Sequence, residues 1–409
     1  MLAWHGRARS FGAMHPTEAD LDGWLAQAYS REQTADYSDI KLGPITALLR
    51  HLPPPPRPIT FAGTKGKGST LRFTEALLTA HGHHTIAFTS PHVRSVRERW
   101  RLDGELAPLA ELHAAAATVE ALEQKHQLAL TYFERCFAIA CILAAARPTA
   151  YFLCEVGLGG RLDCANALDA RIAVLTHLSR DHCAILGNTL ELIAREKLAI
   201  ARPDAPLVIA PQSDAAASAI DASLPLASNI VRVEHGNRPT SLAGNHQQDN
   251  AATAIAASRL LIDLDEQRIE QALNSVHLAA RCQVIQHGGR RILIDGAHND
   301  ASIAATIATA KQLLKPGWQL LLGVATDKDI DAICALIPNT ISVTRVGYDG
   351  PRARREQQWP EAAQAWPWHD AITSALSAHQ GDYDLCITGS FYLAGEALAV
   401  LAPEDTTPG

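Results

Sequence analysis

Residues 61 to 73, FAGTKGKGSTLRF, place three glycines, two lysines and a serine–threonine pair between an apolar run and a helical pattern. Gly63, Gly66 and Gly68 let backbone N–H groups curl around phosphate oxygens, and the following helix turns its positive end to the same place. Thr64 stands inside the loop, Lys67 can reach the outer phosphates, and Ser69 or Thr70 can hold Mg2+. The order departs from the common phosphate-loop pattern G-x-x-x-x-G-K-[ST], because Ser69 rather than lysine follows Gly68. A glycine-rich turn with solvated lysines is the bland alternative. The position between a strand and a helix favours phosphate.

Other residues invite chemistry. Glu155 ends the apolar run AYFLCEV, where a carboxylate is costly without a cation. An isolated histidine is usually structural, but His182 follows Asp181, and that pair suits metal binding with a supporting partner. His246, Gln247 and Asn250 open a helical pattern after Gly244, where polar groups also serve as caps. The segment VRSVRERWR (93–101) either grips an anion or lies as a solvated surface.

The elements that must position these residues alternate. HLPPPPRP (51–58) reads as a stiff connector between a helical region, LGPITALLRHL, and the first strand, PITFAG. A helix follows from Ser69 to about His81, then a strand at 85–90 and helices over 107–127 and 132–146. Strands at 150–157, 170–178 and 206–210, with a helix near 189–200, complete a mostly parallel sheet covered on both faces. Asn250 to Ile262 reads as helix, and the pattern then restarts: a strand running into a loop over 290–299, strands at 318–325, 340–346 and 384–390, helices at 301–314, 329–336 and 370–379. At 409 residues the chain is long for one core, and the boundary is set near Arg281, giving domains 1–281 and 282–409.

Hydrophobic and charged fractions of 47% and 19% are those of a globular protein, and a net charge of −7 argues against nucleic acid as a partner. No apolar run approaches a membrane span, and MLAWHGRARSFGAMHPTEAD lacks the apolar centre of a signal peptide, so a cytoplasmic protein is expected. The eight cysteines, scattered without CxxC or zinc spacing, are expected to be reduced, buried thiols.

The motifs TSPHVRSVRERWRLDGE (89–105), TYFE (131–134), CEVGLGGRLDCANAL (154–168), LSRDHCAILGNTLELIAREKLAI (178–200), LAGNHQQDNAATA (242–254), DGAHN (295–299), DKD (327–329) and TGSFYLAGE (388–396) follow the loop in order. Together they resemble the folylpolyglutamate synthase and dihydrofolate synthase branch of the Mur ligase superfamily, over residues 40 to 400. The resemblance implies an α/β fold: a P-loop-type ATP-binding domain with a mostly parallel sheet, plus a smaller Rossmann-like α/β C-terminal domain. It implies an ATP- and Mg2+-dependent ligase of folate biosynthesis and one-carbon metabolism. Such an enzyme joins L-glutamate to a folate or pteroate carboxylate through an acyl phosphate. The expected partners are these small molecules, and a monomer is expected.

By the same resemblance, Ser69 holds the nucleotide-side Mg2+, and Glu155 and His182 hold a second. Lys197, otherwise an ordinary helix lysine, becomes a carbamylated lysine that helps to place the metal. Lys67, His182 and Lys197 form the catalytic set. His246 and Asn250 lie at the nucleotide base, Arg281 reaches the phosphates with its planar fork, and Asp295 and His298 meet ribose and phosphates from the second domain. Lys328 of DKD is a weaker candidate.

The departures are Lys65 for the asparagine of GTNGKGS, Ala165 for threonine, Leu198-Ala199 for Ala-Gly, Ala279-Ala280-Arg281 for Pro-Gly-Arg, and Asp300 for proline. ATP binding should survive them. They keep open an alternative, a Mur-type ligase that couples an amino acid to another metabolite's carboxylate.

Overall fold

Apolar four-residue runs make the centre of the first sheet, because a strand flanked by strands and covered by helices meets no water on either face. The computed structural model describes residues 17–28, 42–224, 229–350 and 352–403. Most of the N-terminal stretch read above as lacking a signal peptide lies outside them. The chain opens with α1 (Glu18–Ala26) and α2 (Gly43–Leu49), then β1 (Ile59–Ala62), α3 (Lys67–Ala80) and β2 (Thr85–Phe88). A hairpin of β3 (Trp100–Leu102) and β4 (Glu105–Leu106) precedes α4 (Leu109–His126), α5 (Tyr132–Ala145) and β5 (Tyr151–Glu155). Next come β6 (Ile172–Leu175), α6 (Cys183–Leu186), α7 (Leu190–Leu198), β7 (Pro206–Ile209), α8 (Asp214–Asp221) and β8 (Asn229–Arg232). α9 (Asn245–Arg259) and α10 (Glu266–Ser275) follow.

These strands form one sheet, ordered β4-β3-β2-β5-β1-β6-β7-β8. Its pairings are parallel from β2 to β8, and at the hairpin edge the β2–β3 and β3–β4 pairings are antiparallel. Along β1 the side chains alternate. Ile59 and Phe61 pack with Leu71 and Leu78 of α3, while Ala62 joins the opposite core under α1, α2, α4, α5 and α7. α3 is itself covered by α9 and α10 through Phe73, Leu77, Ala254 and Leu273. From β1 the chain crosses toward β2, and from β6 it crosses the other way toward β7. The carboxyl ends of β1 and β6 therefore open at a switch point, where α/β sheets bind ligands.

The remaining elements are β9 (Gln283–His287), β10 (Arg290–Ile294), α11 (Asp300–Leu313), β11 (Gln319–Leu322), α12 (Ile330–Leu336), β12 (Ser342–Val346), β13 (Trp368–His369), α13 (Ile372–Ala378), β14 (Leu385–Thr388) and α14 (Phe391–Leu401). They build a second sheet, β13-β12-β11-β14-β10-β9, parallel except for β9.

The fold is the expected α/β architecture, with additions. The hairpin β3–β4, strands β8, β9 and β13, and helices α1, α6, α8, α10 and α14 are not among the elements read from the sequence. β8 and β9 are edge strands with much of their surface exposed, so they lack the apolar run that marked the others. Six of the eight cysteines are buried as expected, but Cys183 is exposed and Cys334 only half-buried.

Candidate active site

The glycine loop is stitched to the segment that follows β6. Backbone N–H groups of Thr64 and Lys65 donate to the His177 carbonyl at 2.9 and 3.2 Å. Thr176 Oγ1 donates to the Lys65 carbonyl at 2.6 Å, and Thr64 Oγ1 donates to the Ser179 carbonyl at 2.8 Å. Gly63 passes so close to Thr176 that a Cβ would overlap its hydroxyl. Gly66, at φ 82°, leads into α3, which no side chain caps. Its first turn thus offers N–H groups to an anion.

A Cβ on Gly66 would also collide with the Asn250 side chain. Gly66→Ala is expected to cost about 1–2 kcal/mol of stability through its left-handed backbone alone. It should also weaken ATP binding by about tenfold, the equivalent of roughly 1.4 kcal/mol. A urea melt and a nucleotide titration measure the two effects separately.

Two lysines share one carbonyl in this loop. Lys67 Nζ and Lys197 Nζ donate to the Gly63 oxygen at 3.2 and 3.0 Å. Lys197 lies buried on α7; burial first, and then the neighbouring Lys67 cation, push its amine down to about 7. Glu155 ends β5 beside the start of α3, where a Cβ on Gly68 would stand 3.4 Å from its Oε2. That oxygen accepts the Ser90 N–H at 3.0 Å. Burial raises the Glu155 carboxyl, and Lys67, the Ser90 N–H, Arg281 and Arg99 pull it back.

The second sheet supplies the facing wall. Arg281 lies between two residues with left-handed backbones, Ala280 and Cys282, and its guanidinium sits 4.5 Å from the Phe391 ring centroid. Asp295 lines the cleft, yet its carboxylate is already engaged. It accepts from Cys282 N at 2.7 Å, Ala297 N at 2.9 Å and Thr306 Oγ1 at 2.8 Å. Its visible work is to hold the loop that carries His298, whose Nδ1 lies 2.9 Å from the Gly296 carbonyl.

His182 opens α6 with a left-handed backbone. Desolvation, opposed by Asp181 and aided by Lys328, His298 and Lys197, lowers it to about 4, so its imidazole is neutral at pH 7. Desolvation likewise lowers His246, which sits 3.1 Å from Gln247 Nε2, while Gln247 Oε1 accepts from Asn250 Nδ2 at 2.9 Å. Lys65 is lowered to about 8 by burial, and Asp300 is the acid that opposes this most. Two departures from the family pattern therefore act on one another.

A cavity of about 530 Å3 joins the two walls. Gly63, Thr64, Gly66, Lys67, Gly68, Ser69, Glu155, His182, Lys197, His246, Asn250, Arg281, Asp295 and His298 all line it. Thr70 does not: it is buried behind the loop, its Oγ1 3.4 Å from Asn250 Oδ1. The arginines of 93–101 are only in part a solvated surface. Arg94 is exposed, but Arg97 donates to the Ala107 carbonyl at 3.0 Å, Arg99 Nε donates to His92 at 3.0 Å, and Arg101 lies 3.8 Å from the buried Glu75.

Other site residues gave little sequence signal. Asp163 organises the loop after β5 by accepting three backbone N–H groups, from Gly157, Leu158 and Ala165. Burial still lifts its carboxyl to about 6. Only its place in GLGGRLD marked it. Nothing in the sequence singled out Thr176 or the pairing of Arg281 with Phe391.

No group of three or more His, Cys, Asp or Glu poised for a metal occurs among the described residues. Ser69, Glu155 and His182 line the same cavity, where the first two present oxygens of the kind a hard cation takes and the third an imidazole nitrogen.

An uncapped phosphate loop at a sheet switch point, facing a second α/β sheet across a cation-lined cleft, defines the Mur ligase class of fold and site. Residues 280–391 match the family model described as Mur ligase, glutamate ligase domain. The dihydrofolate synthase/folylpolyglutamate synthase of Escherichia coli (strain K12) is 30% identical over 409 residues, covering 93% of this chain and 95% of that protein. The Mycobacterium tuberculosis folylpolyglutamate synthase complexed with ADP superposes with a TM-score of 0.83 at 26% identity, over 94% of this chain and 98% of that one. A bifunctional folylpolyglutamate synthase/dihydrofolate synthase with Mn, AMPPNP and L-glutamate bound gives a TM-score of 0.82 at 27% identity, over 95% and 98%. The chain belongs to the dihydrofolate synthase/folylpolyglutamate synthase family of ATP-dependent ligases.

Proposed function

We propose that the chain joins L-glutamate to a folate or pteroate carboxylate, with ATP cleaved to ADP and phosphate. The carboxylate attacks the terminal phosphorus of ATP, giving an acyl phosphate and ADP. The glutamate amine then attacks the acyl carbon, phosphate leaves, and the amine gives up a proton. The observation that carries this reading is the convergence of the uncapped α3, Lys67 and Glu155 with Arg281 and His298 in one cavity.

Phosphoryl transfer needs positioning and charge neutralisation more than covalent help. The first turn of α3 binds phosphate through its N–H groups, and Lys67 and Arg281 bring cations to the same oxygens. Asn250 and His246 receive the nucleoside, and the second sheet excludes water from the acyl phosphate. Ser69, Glu155 and His182 would hold Mg2+, which neutralises the phosphate oxygens. Lys197 is read as carbamylated. Supporting this, its amine is substantially neutral near pH 7, and a carbamate would replace the repulsion between two lysines by attraction.

We further take the chain to divide at Arg281 into domains 1–281 and 282–409, acting as a cytoplasmic monomer on small molecules. No helix among the described residues is long and apolar enough to cross a membrane. The decisive assay measures glutamate-dependent ADP release with dihydropteroate and with reduced folate, with products identified by mass. A new glutamyl amide is the expected result. Release with neither acceptor, but with another carboxylate, would transfer the reading to the alternative ligase.

A further inference from the structure

We propose that Asp181 is the seat of an interdomain latch, through which docking of the second sheet positions His182. Asp181 follows β6 in the first sheet's domain, yet three of its partners come from the other side of the cleft. Asn299 Nδ2 donates to its Oδ2 at 2.7 Å, and Lys328 Nζ donates to its Oδ1 at 3.2 Å. His298 Nε2 stands 3.7 Å from Oδ2. The contact is well buried, with the Asp181 and Lys328 side chains 9% and 11% exposed. In such surroundings a carboxylate that loses its donors pays a large desolvation penalty.

Two features make this a coupling device rather than a passive contact. Asn299 is the N-cap of α11: its Oδ1 accepts from Ser302 N at 2.9 Å and from Ser302 Oγ at 2.7 Å. That fixes which end of the amide faces outward, so Nδ2 is presented to Asp181 whenever α11 is formed. On the other side, Asp181 Oδ1 also accepts the N–H of His182 at 2.8 Å. His182 has a backbone at φ 50°, ψ 38°, which a residue with a side chain seldom adopts without support. One carboxylate therefore binds the second domain and steadies the left-handed turn that aims His182 into the cavity. If Asn299, Lys328 and His298 withdraw, Asp181 loses its cross-cleft partners and that turn loses its brace. Asp181 is thus a positioning residue.

This inference rests on reading the cleft as a nucleotide site, and its test is separable from that reading. Asn299→Asp keeps a good N-cap for α11 but sets carboxylate against carboxylate across the cleft. Asn299→Ser keeps a cap and removes only the amide. For Asn299→Asp, kcat for ADP release should fall by about tenfold or more, within the range of interdomain coupling energies, with a smaller change in KM for ATP. Solution X-ray scattering with Mg-AMPPNP should give a larger radius of gyration than the unaltered chain does. Asn299→Ser should move both readouts the same way by less. The double variant Asp181→Asn/Asn299→Asp reverses the donor and acceptor, and should restore both. Unchanged kinetics and scattering in Asn299→Asp would overturn the latch. So would a double variant no better than the single one, since Asp181 would then act directly on metal or substrate. If the unaltered chain releases no ADP with any folate, the proposed function fails, while the scattering comparison still decides the latch.

Discussion

Lys67→Met is expected to lower kcat for glutamate-dependent ADP release by at least about a thousandfold, the scale at which a single cation contributes to phosphoryl transfer. The fold should survive, because Lys67 makes one hydrogen bond, to the Gly63 carbonyl at 3.2 Å, and Lys197 donates to the same oxygen. The loss has two sources. The charge that develops on the transferred phosphoryl group loses its cation at the mouth of α3. Glu155, for which Lys67 is the foremost countercharge, is also left buried beside fewer cations and is protonated more readily. An acid carboxyl no longer serves as a metal ligand, so the variant should need more Mg2+ and a higher pH for its residual activity. Lys67→Arg should recover little, since a planar fork cannot occupy the place of a compact ammonium on the same carbonyl. Steady-state rates across a Mg2+ series test this. A loss of less than tenfold would show that Lys67 merely lines the loop.

How much of this site could be read in advance depended on how local each cause was. The loop from Gly63 to Ser69 was legible because strand, glycines and helix are consecutive, and because Glu155 ends an apolar run where a carboxylate is conspicuous. The same holds for β1, β2, β5, β6 and β7, whose burial on both faces shows directly as mostly apolar runs. The latch was not legible. Asn299 and Lys328 lie 118 and 147 positions from Asp181, and each has an ordinary local reading, as a helix cap and a surface lysine. Asp295 carried the opposite difficulty. Its motif placed it at the cleft, but only the structure showed that three donors already hold its carboxylate. For Arg97, Arg99 and Arg101 the solvated reading gives way for a related reason: a run of cations looks free until Glu75, the Ala107 carbonyl and His92 are seen beside it.

Lys197→Met should sever activity from stability in opposite directions. Activity is expected to fall by about a hundredfold or more, as when one preorganised charge is removed from a transition state. Carbamylation joins the neutral amine to carbon dioxide, forming an N–C bond and releasing one proton. The share of neutral amine grows as pH rises through about 7, so activity in carbon-dioxide-depleted buffer should be poor at pH 6 and recover with added bicarbonate near pH 8. In the variant, acetate or formate should restore part of the rate, since the proposed carbamate would present an anionic group like theirs. Intact mass of the native chain should show the addition of one carbon dioxide, lost on acidification. Stability runs the other way. Burial depresses the unmodified amine from 10.5 to about 7, so between those values the unfolded chain binds more protons than the folded one. Stability therefore rises with pH across that window, and below it the full cost of burying an ammonium is present. A methionine carries no such cost. Lys197→Met should accordingly resist urea better than the unmodified chain at pH 6, and the gap should narrow as pH approaches 10. A variant that stays active, or that is destabilised at pH 6, would return Lys197 to the role of an ordinary buried helix residue. The combination expected here is that of a side chain kept at a cost to the fold because the charge it acquires serves the phosphoryl-transfer site.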